Sequence, residues 1–246
     1  MEKFTRLFAF IAITLPIFSS CNFLSGQGTQ GNYQIVSKTI DISDYDEIVL
    51  AKLNAKVIYQ QFSDSVPYLQ VNTDDNLLSA LDIRVEDNKL IIDTKPDSVI
   101  QPTQLTIYTN SKNLKKVEVL GAGNLYLRGE VNAGDFDLTI AGAGNVQTDS
   151  LLCENLNVTI AGVGNAKLIG AAKEASFTTA GVGNIKAFDF LVQSAKCQVS
   201  GVGNIEIYPK EKLDASISGV GNIKYKGTPE VINSSTSKIG KIQHVE

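Results

Sequence analysis

Few side chains in this 246-residue chain could carry out chemistry, and they do not cluster. His244, the only histidine, stands third from the C-terminus, so a Ser-His-Asp or Cys-His nucleophilic site would have to assemble on a frayed tail. The cysteines are Cys21, Cys153 and Cys197, and one histidine with two scattered thiols does not supply the four nitrogen and sulfur ligands of a zinc site. Asp135 and Asp137 are close enough for paired-carboxylate chemistry, but their spacing carries no further mark of an acid and a base. Calcium-binding β-rolls place an aspartate in each turn, whereas the repeated polar residue here is asparagine, whose neutral amide holds a hard dication weakly. These residue types predict no catalytic centre, no metal site and no cofactor.

Cys21 is the exception, because its chemistry is a modification. Lys3 and Arg6 precede an apolar run from Leu7 to Phe18, too short for the roughly 20 residues that cross a bilayer and typical of an export signal. The run ends in Phe18-Ser19-Ser20-Cys21, which resembles the bacterial lipobox, so residues 1–20 read as a lipoprotein signal peptide and Cys21 as the lipidated N-terminus. Residues 21–32, rich in Gly, Gln, Ser and Asn, read as a flexible tether. Of 22 basic and 26 acidic residues, cleavage removes Lys3, Arg6 and Glu2 and leaves 20 against 25. That balance argues against nucleic acid, since Lys112, Lys115 and Lys116 are the only basic group and a duplex partner needs a basic stripe. Cys153 and Cys197 take different places in the repeat described next and are expected to stay unpaired thiols.

Gly-Ala/Val-Gly-Asn occurs six times, starting at Gly121, Gly142, Gly162, Gly181, Gly201 and Gly219, at spacings of 21, 20, 19, 20 and 18 residues. A decayed copy follows at Lys238-Ile239-Gly240-Lys241-Ile242. Four residues before the first glycine stand Val117, Leu138, Val158, Phe177, Cys197 and Ala215, and two before it Val119, Ile140, Ile160, Thr179, Val199 and Ile217. One residue after the asparagine stand Leu125, Val146, Ala166, Ile185, Ile205 and Ile223. These columns alternate with period two, which is the signature of strands, and they are expected to form the core. The residues between the glycines, Ala122, Ala143, Val163, Val182, Val202 and Val220, are expected to turn inward at a corner.

A 20-residue unit cannot bury its own apolar face, so the repeats must stack. The expected fold is all-β, a parallel β-helix of about six or seven coils over residues 111–246 with a C-terminal cap, preceded by an irregular β region at 33–110. A propeller blade needs about twice the period. Coils at the strand spacing of about 4.8 Å make a rod of roughly 30 Å. The glycines would permit positive φ or close approach of the next coil, and Asn124, Asn145, Asn165, Asn184, Asn204 and Asn222 would form an amide ladder. In the N-terminal region Glu47 to Tyr59, Tyr68 to Asn72, Ile83 to Val85, Lys89 to Asp93 and Gln104 to Tyr108 read as strands. Leu53 to Val57 reads as a distant first coil, and Asp74 to Leu81 as a short helix capped by Thr73 or Asp74.

The six Gly-Ala/Val-Gly-Asn copies, the decayed end and the lipoprotein signal together resemble the head GIN domain family of auto-transporter adhesins over about residues 45–225. The resemblance implies a right-handed parallel β-helix and a cell-envelope, outer-membrane lipoprotein. The resulting expectation is a non-enzymatic adhesin or interaction module, held to the membrane through its lipid and facing a glycan or envelope-protein ligand. The alternatives are a periplasmic structural or envelope-stress component and a glycan-degrading β-helix enzyme.

Overall fold

Within each repeat, alternation drives two strands together at a glycine corner, and stacking turns the alternating positions into continuous columns. The structure, a computed structural model, describes residues 28–237 and 239–246. The expected signal peptide and Cys21 lie outside the described residues. A parallel solenoid of about six turns results. Its flanking face, just before the glycines, stacks Glu47–Leu50, Lys116–Val119, Asp135–Ile140 and then 155–160, 174–179, 194–199 and 212–217. Its asparagine face stacks Asn54–Gln61, 122–128, 143–147, 163–167, 182–187, 202–207 and Val220–Tyr225. A shorter third face closes the triangle at 130–132, 151–153, 170–172 and 190–192.

The expected core columns are buried throughout, among them Val158, Ile160, Phe177, Thr179, Val199, Ala166 and Ile185. Gly-x-Gly-Asn stays in unbroken register from coil to coil, whereas the register shifts beyond Lys167 and Ala187, on the way to the third face. The unequal repeat lengths are therefore absorbed there, as bulges absorb an extra residue.

The residues between the glycines do not turn inward. Val163, Val182, Val202 and Val220 are 59%, 51%, 50% and 44% exposed and line an outer ridge. The alternation runs straight through the corner: asparagine faces out, the second glycine in, and the valine out again. Both glycines are required by close approach. A Cβ on Gly164 would lie 1.8 Å from the Gly144 carbonyl oxygen, and one on Gly162 would lie 2.1 Å from that of Gly142.

Leu53 to Val57 does belong to a first coil, since Ala55 and Lys56 pair in register with Gly123 and Asn124. Beyond it the sheet changes character. Leu105–Ser111 pairs parallel to Asn54–Gln61, then Tyr68–Asp74 adds antiparallel and Ile35–Ile40 antiparallel again. Lys89–Thr94 and its hairpin partner Leu81–Glu86 extend the flanking face in the same way. The region at 33–110 is thus continuous with the solenoid sheet. Tyr45 and Tyr59 fill its interior, with hydroxyls bonded to Thr109 Oγ1 at 2.7 Å and Ser111 Oγ at 3.0 Å. Burial pushes the Tyr59 phenol up to about 12.

Three further expectations change. The helix at Asp74 to Leu81 is a 3-10 segment, Asp75–Ala80, without a side-chain cap. The candidate caps are engaged elsewhere: Thr73 Oγ1 donates to the Gln104 carbonyl, and the Asp74 carboxylate accepts from Tyr33 and Thr103. The end of the expected 21–32 tether is a strap, because Thr29–Gln30 pairs with Ile100–Gln101 and Gly31 N–H donates to the Gln101 carbonyl at 3.0 Å. His244 is no frayed tail. Lys241–His244 pairs with 222–225, placing Ile242 beside Ile223 as the decayed copy predicts, and the His244 ring lies 5.3 Å from that of Tyr225.

Candidate interaction surface

The asparagine ladder forms as the repeat predicts. Asn145, Asn165, Asn184, Asn204 and Asn222 each donate Nδ2 to Oδ1 of the asparagine one coil earlier, at 2.8, 2.9, 3.0, 2.9 and 2.9 Å. Its polarity is fixed by the backbone. The amide N–H groups of Asn184, Asn204 and Asn222 also point at the preceding side chain, at 3.3, 3.1 and 3.1 Å, and an N–H can only meet oxygen. Every amide dipole therefore points the same way along the rod. Lys241 occupies the next register position beyond Asn222, at the oxygen end, and Lys56 the position beyond Asn124, at the donor end.

The flanking face presents a different surface. Asp137, Asn157, Ser176, Lys196 and Asp214 stack in register as one outward column, followed by Asn233. Thr139, Thr159, Thr178, Gln198 and Ser216 stack as another. Over the small inward residues Ala175 and Ala195 the surface dips into a cavity of about 400 Å³ lined by Asn155, Glu174, Ser176, Ser194, Lys196 and Lys212. A second depression of about 420 Å³ shares Lys196 and Asp214 with the first and continues past Gln198 and Ser216 to Asn233. Together they make a groove across successive coils, rimmed by polar side chains over a lining that is largely apolar.

Its charges are partly neutralised. Lys212 Nζ lies 2.8 Å from Asp214 Oδ2, and Asn233 Nδ2 donates to Asp214 Oδ1 at 2.6 Å. The hydrogen bonds from Lys212 and then Asn233 hold the Asp214 carboxyl below the usual carboxylate range. Hydroxyls, amides and single charges of both signs alternate at the strand spacing, an arrangement that can bond a polyhydroxylated chain or a polar peptide without committing to one charge.

The remaining candidates do not converge. The Asp135 carboxylate accepts from Asn155 Nδ2 at 2.7 Å, on an exposed strand edge of the groove face. Cys153 and Cys197 are both free, and neither is opposite the other: Cys153 pairs with Ala172, and Cys197 with Phe177 and Ala215. Burial pushes the Cys153 thiol up to about 12, aided by Asp135, and pushes the Cys197 thiol up as well, so neither is an activated nucleophile. No group of three metal-ligating side chains occurs among the described residues, and none of their helices is long and apolar enough to cross a membrane. The groove had no signal in the sequence beyond outward polar positions, because its lining comes from side chains of several coils about 20 residues apart.

A family model described as "Putative auto-transporter adhesin, head GIN domain" matches residues 44–229. No curated protein matches the chain. Among solved structures, a "putative adhesin" from Bacteroides fragilis is 29% identical, with 89% of this chain and 100% of that chain covered and a TM-score of 0.85. A "putative lipid binding protein" from Parabacteroides distasonis is 33% identical over 88% of this chain and 99% of its own, with a TM-score of 0.70. A "putative adhesin" from Parabacteroides merdae is 25% identical over 89% and 99%, also with a TM-score of 0.70.

Proposed function

The chain belongs to the head GIN domain family, and from that premise we propose that it is a non-enzymatic, adhesin-like protein of the cell envelope that holds a glycan or envelope-protein partner in the groove of its flanking face. The observation that carries this reading is the groove itself. It is continuous over the coils at 155–160, 174–179, 194–199 and 212–217, polar at its rim, and built on strand segments that pair in register through those residues. A rigid strand surface holds its donors and acceptors in place before the partner arrives, which lowers the ordering cost of binding.

Anchoring completes the proposal. Cys21 is the lipidated residue, and the lipid and the outer membrane hold the module at the envelope. The test has two parts. Fractionation and proteinase K treatment of intact and lysed cells, with wild type and Cys21→Ala, should show a membrane-held protein that the variant releases. The purified protein should be retained by immobilised bacterial or host glycans, or by envelope proteins, without generating new reducing ends or unsaturated products. Absence of retention on all of these surfaces would overturn the binding role, and released products would replace it with an enzyme.

A further inference from the structure

The donor end of the asparagine ladder opens into a cavity that the repeats do not build. It has a volume of about 550 Å³, within the roughly 300–1,000 Å³ of small-molecule sites. Asn54, Lys56 and Asn124 form one wall, and the loop carrying Gln101, Thr103 and Gln104 forms the other. We propose that this cavity binds a carboxylate-bearing sugar, with Lys56 and the Asn124 amide receiving the carboxylate and the neutral amides and hydroxyls receiving ring hydroxyls.

Lys56 is the only charged residue lining the cavity, and its ammonium has no ion-pair partner among the described residues. It lies 5.5 Å from the centroid of the Tyr126 ring, which it shares with Arg128 at 4.8 Å. Arg128 differs in being paired, with Asp149 at 2.9 Å. One uncompensated cation matches a singly charged carboxylate better than a phosphate dianion, which usually draws on several cationic or backbone donors.

The ladder adds an amide donor to this charge. Asn124 accepts from Asn145 but donates to no acceptor among the described residues, so its Nδ2 is the terminal donor of five aligned side-chain bonds. Chains of hydrogen bonds polarise their members, which strengthens this last donor toward an anion. The oxygen end of the same ladder is met by a lysine position, Lys241, so both ends are electrostatically complemented once an anion sits at the first.

The site is also rigid. The loop wall is tied down by Asp74, whose carboxylate accepts from Thr103 N at 2.9 Å, Thr103 Oγ1 at 2.8 Å and Tyr33 N at 2.8 Å. The strap at Thr29–Gln30 pairs along Ile100–Gln101 outside it. The loop wall is therefore fixed through Thr103 itself, and Asn54, Lys56 and Asn124 on the opposite wall stay available to the ligand. The cavity lies apart from the flanking-face groove and does not depend on that groove's role.

Isothermal titration tests the proposal with glucuronate- and galacturonate-containing oligosaccharides, their neutral glucose and galactose counterparts, acetate and inorganic phosphate. The acidic oligosaccharides should bind wild type and lose affinity with rising salt. Lys56→Gln and Asn124→Asp should each weaken them at least tenfold, and Lys56→Arg should largely retain them. Both weakening variants should keep the wild-type melting temperature, since Lys56 is exposed and an aspartate at 124 still accepts from Asn145. Equal binding of the neutral counterparts, binding of phosphate alone, affinities unchanged in both variants, or no binding of any hexuronate probe would each overturn it.

Discussion

Replacing Gly164 by alanine measures how tightly the coils must approach. The added Cβ would sit 1.8 Å from the Gly144 oxygen and 3.2 Å from Ile140 Cγ2. A carbon and a carbonyl oxygen in contact need about 3.3 Å, so the corner would have to open by roughly 1.5 Å against that limit. Such a movement breaks the corner bond from Val163 N–H to the Gly142 carbonyl, now 2.8 Å, and the ladder bond from Asn165 to Asn145, now 2.9 Å. Two lost bonds cost about 2 kcal/mol, and overpacking adds about 1–3 kcal/mol. For a domain of this size each kcal/mol lowers the melting temperature by about 2–4 °C, so the expected loss is on the order of 10 °C. Val163→Ala, one residue away but on the exposed ridge, should stay within about 0.5–1 kcal/mol of wild type. Thermal and urea unfolding followed by far-UV circular dichroism compares the two. Gly164→Ala within 0.5 kcal/mol of wild type, or Val163→Ala costing as much as the glycine change, would refute the assignment of inward and outward positions at the corner.

Other consequences follow from single side chains. Asn165→Asp places carboxylate oxygen against Asn145 Oδ1 in mid-ladder and should cost about 1–2 kcal/mol in urea unfolding, whereas Asn124→Asp at the donor end should be nearly neutral. The buried Thr179 hydroxyl has no hydrogen-bond partner among the described residues and sits in an otherwise aliphatic column, so Thr179→Val should stabilise the solenoid by about 1 kcal/mol in the same assay. Burial opposes the charge on Asp74, but the donors from Thr103 and Tyr33 prevail and hold its carboxyl below the usual range. A depressed folded pKa contributes stability that is complete above the unfolded value near 3.9 and lost as pH falls through the folded one. Hydrogen exchange of residues 28–40 and 99–104 should therefore accelerate in Asp74→Asn at neutral pH, and wild type should approach the variant only in strong acid.

What could be read beforehand follows from where the periodicity is local. Val158, Phe177, Ile185 and their column mates were legible because inward residues alternate within a single repeat. The valines of the ridge were misplaced because apolar, small residues beside glycines suggest a packed corner, and only the outward asparagine two residues on reveals the phase. Leu53, Ala55 and Val57 were recognisable as a coil although Lys56 replaces the asparagine, since the inward positions survive. The strap had no such signature. Thr29–Gln30 is a two-residue strand that pairs with residues 71 positions away, and no local pattern encodes that contact. The same holds for the donor-end cavity, whose walls come from the first coil and from a loop near Pro102. The flanking groove is lined by side chains from several coils, and a polarity pattern read along one repeat is blind to its depth.

The most direct test of the adhesin-like role fills the groove and leaves the fold alone. Wild type and the double variant Ser194→Arg, Lys196→Ala, matched for melting temperature, would be passed over immobilised bacterial and host glycans and envelope-protein extracts, with product formation followed in parallel. Wild type should be retained saturably, the variant should not be retained, and neither should form products. Retention that survives the filled groove, or turnover of the bound glycan, would contradict that role.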